Sequence, residues 1–181
     1  MKHTWFPRRR LLLTATLLCC AARVHAQSPS GAKIDPTWLR ADSVTHSAEF
    51  RLVAGLTDRN GGMNFNGFGK GGLVLTVPKG WSVVLHFKNQ DQNLPHSAAV
   101  IADTDPVPAG PVPLAFEHAA TARADQGFSA GQGGDVRFVA AKAGSFLIFC
   151  AVPGHGPAGM WIRLVVSATA VKPALSAAPE R

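Results

Sequence analysis

The stretch Cys150-Ala-Val-Pro-Gly-His155-Gly-Pro-Ala-Gly-Met160 decides how the rest of this sequence is interpreted. It places a thiol, an imidazole and a thioether within eleven residues, with four residues between each neighbouring pair. The residues between them are Gly, Pro, Ala and Val, so the loop is small and uncharged. A thiolate, an imidazole and a weak axial thioether are three of the four ligands of a His2Cys blue-copper site. Such a site needs one more histidine, and we predict that it is His96.

The sequence on both sides of this loop has the alternating apolar pattern of β-strands. In the strand predicted after the turn Pro78-Lys79-Gly80, for example, Val83, Leu85 and Phe87 point inward. Short helices are predicted over Thr37–Ala41, after an Asp35-Pro36 start, and within Ala115–Ala124. The strands are predicted at Thr45–Leu56, Leu73–Val77, Trp81–Asn89, Ser97–Ala102, Asp135–Val139, Gly144–Phe149 and Met160–Ser167. Six to eight short strands with turns between them predict an all-β fold, a β-sandwich or barrel.

The predicted strands place the candidate ligands at one end of that sandwich. Cys150 ends one strand and Met160 begins its antiparallel neighbour, which leaves His155 at the tip of the connection. His96 opens another strand directly after Pro95, and Ser97 could donate a hydrogen bond to the site. A Pro-rich segment over residues 103–134 is predicted to cross between the sheets. A glycine and asparagine cluster over residues 60–72 predicts a tight turn region.

The first 26 residues have the features of a secretory signal peptide. A basic start precedes the apolar run Leu11–Ala22, and small residues end at Ala26. Arg8-Arg9 weakly resembles a twin-arginine leader, so both export routes are open, and a lipoprotein at Cys19 or Cys20 is disfavoured. We therefore predict an exported protein, periplasmic or extracellular. The remaining chain divides into a disordered start (27–33), one domain (34–167) and a flexible tail (168–181).

Removing the leader changes the charge and the cysteine count. After residue 26 the chain has 13 basic and 11 acidic residues, so the high overall charge is no sign of nucleic-acid binding. Of three cysteines only Cys150 is left, and it cannot form an internal disulfide. It is then a buried free thiol, an intermolecular cross-link or a metal ligand, and its neighbours His155 and Met160 favour the last. Structural zinc is disfavoured, because zinc sites seldom use a thioether.

These motifs together resemble the cupredoxins, and in particular the sulfocyanins. The resemblance lies in His96, in Cys150-x4-His155-x4-Met160 and in the segment Met63-Asn64-Phe65-Asn66-Gly67, and it covers about residues 36–166. It implies a Greek-key β-sandwich that holds one type 1 copper ion. His96, Cys150 and His155 would be the equatorial ligands and Met160 the axial one. The long segment 103–134 departs from the family pattern.

The resemblance also implies a function, one-electron transfer between redox partners. Transient redox proteins would dock near His155 in an uncharged patch, with a membrane-bound electron-transfer complex as one class of partner and the protein itself a monomer. An apolar loop with few hydrogen bonds to the sulfur would favour Cu(I). An enzyme with a second metal site is disfavoured because the spare histidines, His46, His86 and His118, are scattered. The alternative is a copper-delivery protein without an electron-transfer role.

Overall fold

The structure, a computed structural model, describes residues 1–2 and 33–181. The predicted signal peptide and disordered start lie almost wholly outside these residues. Within these residues, two short 3-10 helices, Pro36–Trp38 and Arg59–Gly62, accompany nine strands. The strands are β1 (Leu39–Asp42), β2 (Ser47–Ala54), β3 (Leu73–Pro78), β4 (Ser82–Asn89), β5 (Ala99–Ala102), β6 (Gly133–Val139), β7 (Gly144–Phe149), β8 (Trp161–Ser167) and β9 (Ala174–Ala177). In the described part of the chain, no helix has both the length and the hydrophobicity needed to cross a membrane.

The strands form two sheets packed face to face. The first, called here the open sheet, has the order β1-β2-β4-β6, and the second, the covered sheet, has the order β5-β7-β8-β3-β9. The pairs β2–β4 and β3–β8 are parallel and the other neighbours are antiparallel. The predicted all-β sandwich is confirmed, and the sheets do not close into a barrel.

The main core lies between the two sheets and follows the predicted alternation. In β4 the buried apolar side chains are Val83, Leu85 and Phe87, as predicted, and they belong to the same core cluster as the inward residues of β7 and β8. The inward residues of β8 continue the face that carries Met160. Burying these large apolar side chains supplies most of the free energy that favours the folded state.

The covered sheet also has a buried outer face at its β5 end. A second apolar cluster there is made of Ala99, Ile101, Leu147, Phe149, Ala151 and Trp161. Val107, Ala120 and Ala124 of the connection between β5 and β6 pack against it. This connection leads from the covered sheet to the open sheet, as predicted, and it shields the strands that lead into the Cys150 loop.

The helix predicted within Ala115–Ala124 is wrong. The segment runs instead along the free edge of β5, where Val100 N donates to Ala119 O at 2.8 Å and Thr121 N donates to Ala98 O at 2.8 Å. Because β5 offers unpaired backbone groups, pairing with that edge satisfies the segment without helical bonds.

The glycine and asparagine cluster forms the predicted turn region. Asn66 adopts a φ of 54° and uses both ends of its buried amide: Oδ1 accepts from Val53 N at 2.9 Å, and Nδ2 donates to Arg51 O at 2.9 Å. Phe65 and Phe68 are fully buried and anchor the turn in the core. The turn is thereby fixed to β2.

Both chain ends of the domain differ from the prediction. The first helix, capped by Asp35, ends at Trp38, because the next residues pair with β2 as β1. The predicted flexible tail contains β9, which pairs antiparallel with β3 and satisfies an otherwise free strand edge. Beyond β9, Glu180 forms an ion pair with Arg59, and Arg181 donates to Asp103 at 2.5 Å.

Candidate metal centre

Three of the four predicted ligands meet at one end of the sandwich. The Nδ1 atoms of His96 and His155 are 3.2 Å apart, and the sulfur of Cys150 lies 3.4 Å from Nδ1 of His155 and 4.0 Å from Nδ1 of His96. His96 and Cys150 are fully buried, whereas His155 is half-buried. One thiol and two imidazoles therefore face a common point close to the surface.

The strands place these side chains as the sequence predicts. Cys150 directly follows β7 and donates its N–H to the carbonyl of Met160, the residue before β8, at 3.0 Å. Met160 in turn donates its N–H to the carbonyl of His155 at 3.0 Å, which closes the loop between the two strands. His96 lies just before β5, where its backbone exchanges two hydrogen bonds with Phe128, 3.1 and 2.7 Å long.

Met160, the predicted axial ligand, directly precedes β8. Its side chain is fully buried in the main core together with Cys150, and its backbone is held by the bonds just described. A buried methionine also fills core space without binding anything.

The sulfur of Cys150 has hydrogen-bond donors close by. Ser97 N donates to it at 3.3 Å, and the Ser97 hydroxyl oxygen lies 3.7 Å away while accepting from Ala151 N at 3.0 Å. The predicted contact of Ser97 with the site is thus present. The expectation of a sulfur with few hydrogen bonds is wrong, because the chain entering β5 runs directly beside the end of β7.

Asp91 is a residue of this site that the sequence analysis missed. Its Oδ2 accepts a hydrogen bond from Nε2 of His96 at 2.9 Å, and the carboxylate is only 7% exposed. The signal in the sequence was an aspartate five residues before the histidine, inside a loop closed by Pro95. From the sequence, that loop is predicted only as a polar turn, because the neighbouring residues do not indicate that the turn is buried.

The burial of these groups shifts their pKa values. Burial lowers the pKa of His96 against the opposing effect of Asp91, and burial with the nearby His96 lowers the pKa of His155. Burial also raises the pKa of the Cys150 thiol, only partly offset by the Ser97 N–H. For Asp91, burial raises the pKa, but hydrogen bonds from Asn93 N, His96 and Leu94 N outweigh it and leave the pKa below its usual value. A lowered pKa favours the uncharged form of each imidazole, which is the form that binds a metal.

The separations of the donor atoms fit a single metal ion. Metal–nitrogen and metal–sulfur bonds of about 2.0–2.3 Å place three donors in a trigonal arrangement about 3.5 Å apart. The observed separations are 3.2, 3.4 and 4.0 Å. Two imidazoles and one thiol are also the donor set typical of blue copper rather than of structural zinc, which takes four closed ligands.

Comparison with known proteins assigns the chain to a family. The sequence profile of the sulfocyanin (SoxE) domain matches residues 37–176. The chain belongs to the sulfocyanin family. Sulfocyanin of Sulfolobus acidocaldarius is 32% identical over 117 residues, which cover 61% of this chain and 58% of that protein. The match thus spans less than two thirds of the relative's length.

Solved structures show the same fold. A crystal structure of rusticyanin variants aligns with a TM-score of 0.52 at 22% identity, covering 67% of this chain and 78% of rusticyanin. Reduced auracyanin of Roseiflexus castenholzii aligns with a TM-score of 0.50 at 20% identity, covering 71% of this chain and 99% of auracyanin. The sulfocyanin-family domain is thus a cupredoxin fold, as the resemblance implied. Cupredoxins bind copper, and His96, Cys150 and His155 form the candidate ligand group.

The remaining histidines of the domain lie away from this group. His118 is exposed, His46 packs against Trp81 at 5.4 Å between ring centres, and His86 is partly exposed on the open sheet. Within residues 1–2 and 33–181, His96, Cys150 and His155 form the single cluster of three or more metal-binding side chains. The described residues therefore hold no second cluster of this kind.

Proposed function

We propose that this protein transfers single electrons through one type 1 copper ion held by His96, Cys150 and His155, with Met160 as the axial ligand. The observation that carries the proposal is the convergence of two imidazole Nδ1 atoms and one buried sulfur within 4.0 Å of each other. Copper, when bound, supplies a Cu(II)/Cu(I) couple and a covalent copper–thiolate bond.

The scaffold keeps the ligands in place when the charge of the site changes. Cys150 is fixed between β7 and β8, and His96 is tied to Phe128 by two backbone bonds. Ser97 N donates to the sulfur from a third direction. Because these positions are set by strands rather than by the metal, little rearrangement accompanies oxidation or reduction, and the barrier to electron transfer is low.

The half-buried His155 marks the point where electrons leave the site. It lies among Pro153, Gly154 and Pro157, and the 103–134 connection reaches the same surface, where Gly154 N donates to Ala109 O at 2.8 Å. This surface carries no charged side chain in the loop 150–160. We infer that a transient redox protein, either free or in a membrane-bound electron-transfer complex, docks here, since such contacts are small and short-lived.

The proposal includes the location and the form of the protein. The features of residues 1–26 support export to the periplasm or the cell exterior, with cleavage near Ala26. The protein acts as a monomeric carrier rather than as an enzyme. This fits a site in which buried ligands leave little room for a substrate.

The test is a visible and electron-spin spectrum of the purified protein after Cu(II) is added. We expect an intense thiolate-to-Cu(II) absorption that disappears in Cys150→Ser and is weakened or changed in His155→Ala. His118→Ala is the matched control, since His118 is exposed and outside the cluster, and it keeps the wild-type spectrum. A colourless copper adduct of the wild type would contradict the proposal and favour copper delivery.

A further inference from the structure

We propose that Asp91 is the positioning residue of the copper site: its carboxylate fixes the His96 ring so that Nδ1 faces the metal, and its buried negative charge lowers the reduction potential. This inference rests on the proposed electron-transfer function. It assigns a role to a loop, residues 89–96, that contributes no ligand before His96.

One carboxylate oxygen of Asp91 accepts hydrogen bonds from the backbone, and the other accepts one from the His96 ring. Oδ1 accepts from Asn93 N at 2.8 Å and from Leu94 N at 3.2 Å, which fixes the side chain within its own turn. Oδ2 is then left for Nε2 of His96 at 2.9 Å. An aspartate has only acceptor atoms when ionised, so His96 must carry its proton on Nε2 and present a free Nδ1.

A second side chain holds the same turn closed. Asn89 accepts from Asp91 N at 2.9 Å through Oδ1 and donates through Nδ2 to Leu94 O at 2.9 Å and Phe128 O at 2.8 Å. Phe128 is the residue that pairs with the backbone of His96. The carboxylate and the backbone of His96 are therefore both tied to Asn89 and Phe128, and turning the ring away would break the buried hydrogen bond from Nε2 to Oδ2.

Two glycines of the preceding loop cover the carboxylate directly. A Cβ on Gly62 would lie 2.1 Å from Oδ2 of Asp91, and a Cβ on Gly55 would lie 2.5 Å from Asp91 Cβ. Both glycines also have positive φ angles, 86° and 63°. Any side chain at either position would displace the loop or the carboxylate. The chain over residues 55–62 is thus in direct contact with Asp91, and it limits the access of water to the Asp91–His96 bond.

The charge of Asp91 is not neutralised by a basic side chain. Across the described parts of the chain, His96 is the one nitrogen-bearing partner within ion-pair distance of its carboxylate, and no lysine or arginine lies that close. A buried anion that accepts a hydrogen bond from a ligand makes that ligand more basic and stabilises the more positive metal. The expected effect is a preference for Cu(II) over Cu(I).

The open sheet contains a matched pair for comparison. His86 Nδ1 lies 2.8 Å from Asp135 Oδ1, but both side chains are more than a third exposed and Arg137 also pairs with Asp135. This pair has the same chemistry as His96–Asp91, without burial and without a metal ligand. Asp135→Asn is therefore the control for Asp91→Asn.

The experiment measures the reduction potential of the copper-loaded protein and the imidazole nitrogen shifts of the copper-free protein by NMR. Asp91→Asn removes the charge and keeps an oxygen that can accept from His96, so we expect a higher potential with the proton still on Nε2. Asp91→Ala removes both the charge and the acceptor oxygen, and the affinity for copper should fall about 10–100-fold. Asp135→Asn should leave both readouts unchanged. A potential in Asp91→Asn equal to that of the wild type would overturn the proposal.

A second variant keeps the inference testable if the Asp91 variants do not fold. Gly62→Ala retains the charge and pushes against Oδ2, so the Nε2–H of His96 should exchange faster with solvent and its shift should change. A Gly62→Ala protein with an unchanged His96 signal would contradict the described contact. The NMR measurement needs no copper, so it distinguishes a failure of this inference from a failure of the proposed electron-transfer function.

Discussion

The two sheets of the sandwich carry similar side chains in different surroundings. The open sheet faces solvent with its outer side, where Glu49, His86 and Asp135 lie across three neighbouring strands. The covered sheet is buried on both sides near β5 and β7, and the chain that enters it carries His96 and Asp91. A histidine bonded to an aspartate is thus a surface pair in one sheet and part of a candidate metal site in the other.

The difference between the sheets shows what burial adds to the same chemistry. On the open sheet, water and Arg137 compete for Asp135, so the pair contributes little and its geometry is not enforced. Beside the covered sheet, both carboxylate oxygens of Asp91 have defined partners, and displacing the carboxylate leaves buried donors unpaired. Three variant pairs and one single variant test this contrast, and the expected effect decreases from the first to the last.

The largest effect is expected from the outer cluster of the covered sheet. Leu147→Ala creates a cavity beneath the 103–134 connection and should lower the free energy of unfolding by about 2–5 kcal/mol. Val139→Ala, on the outer side of the open sheet and half exposed, should change it by less than about 0.5 kcal/mol. Urea unfolding measures both values. Equal losses would mean that the outer cluster is not a packed core.

Two serine variants compare a buried hydroxyl beside the Cys150 sulfur with an exposed one on the open sheet. Ser97→Ala leaves the buried Ala151 N–H without its acceptor, so stability should fall by about 1–3 kcal/mol. It also removes the hydroxyl near Cys150 and should shift the reduction potential downward. The control is Ser82→Ala on the exposed side of β4, and thermal unfolding with voltammetry reports both effects. An unchanged reduction potential in Ser97→Ala would show that the Ser97 hydroxyl does not influence the potential of the site.

The tail tests how far the covered sheet extends. Leu175 of β9 is partly buried against the main core, and its truncation to alanine should lower the free energy of unfolding by about 1 kcal/mol. Val171 is exposed and lies before β9, so Val171→Ala is the matched control and should leave the free energy of unfolding unchanged. Chemical denaturation of both variants decides the point. No loss in Leu175→Ala would restore the prediction of a flexible tail.

The smallest effect is expected at Asp135, and it depends on pH. The hydrogen bond with His86 holds the pKa of Asp135 below its usual range, so the pair stabilises the fold above the pKa of the unfolded carboxyl. This contribution is lost as the pH falls through the lower, folded pKa. Asp135→Asn should therefore cost under about 0.5 kcal/mol at neutral pH, and the difference should vanish in acid. Melting temperatures across this range measure it, and a difference that grows in acid would contradict the assignment.

Much of the sandwich follows from local sequence patterns. The positions of β2 to β8 were predictable because each alternates apolar and polar residues or is continuously apolar between turn signals. β1 and β9 were missed because they are four residues long and carry few large apolar side chains. They are strands because β2 and β3 offer them free edges, which is information about the fold rather than about the segments.

The candidate site was predictable to a similar extent. The spacing of Cys150, His155 and Met160 is local, and strand order brings His96 to the same end of the sandwich. Asp91 and the two glycines above it could not be inferred, because their contacts join loops that are distant in the sequence. The hydrogen bond from Ser97 N to the sulfur was likewise hidden, since it depends on how closely two strand ends approach.

The bonding of residues 115–121 to β5 has a consequence for self-association. An uncovered strand at the border of a sheet can pair with the same strand of another copy, which is a common start of aggregation. Here the outward backbone groups of Val100 and Ala98 are already hydrogen-bonded within the same chain. Their partners are Ala115, Ala119 and Thr121. The 103–134 connection therefore prevents intermolecular sheet extension beside the candidate metal ligands.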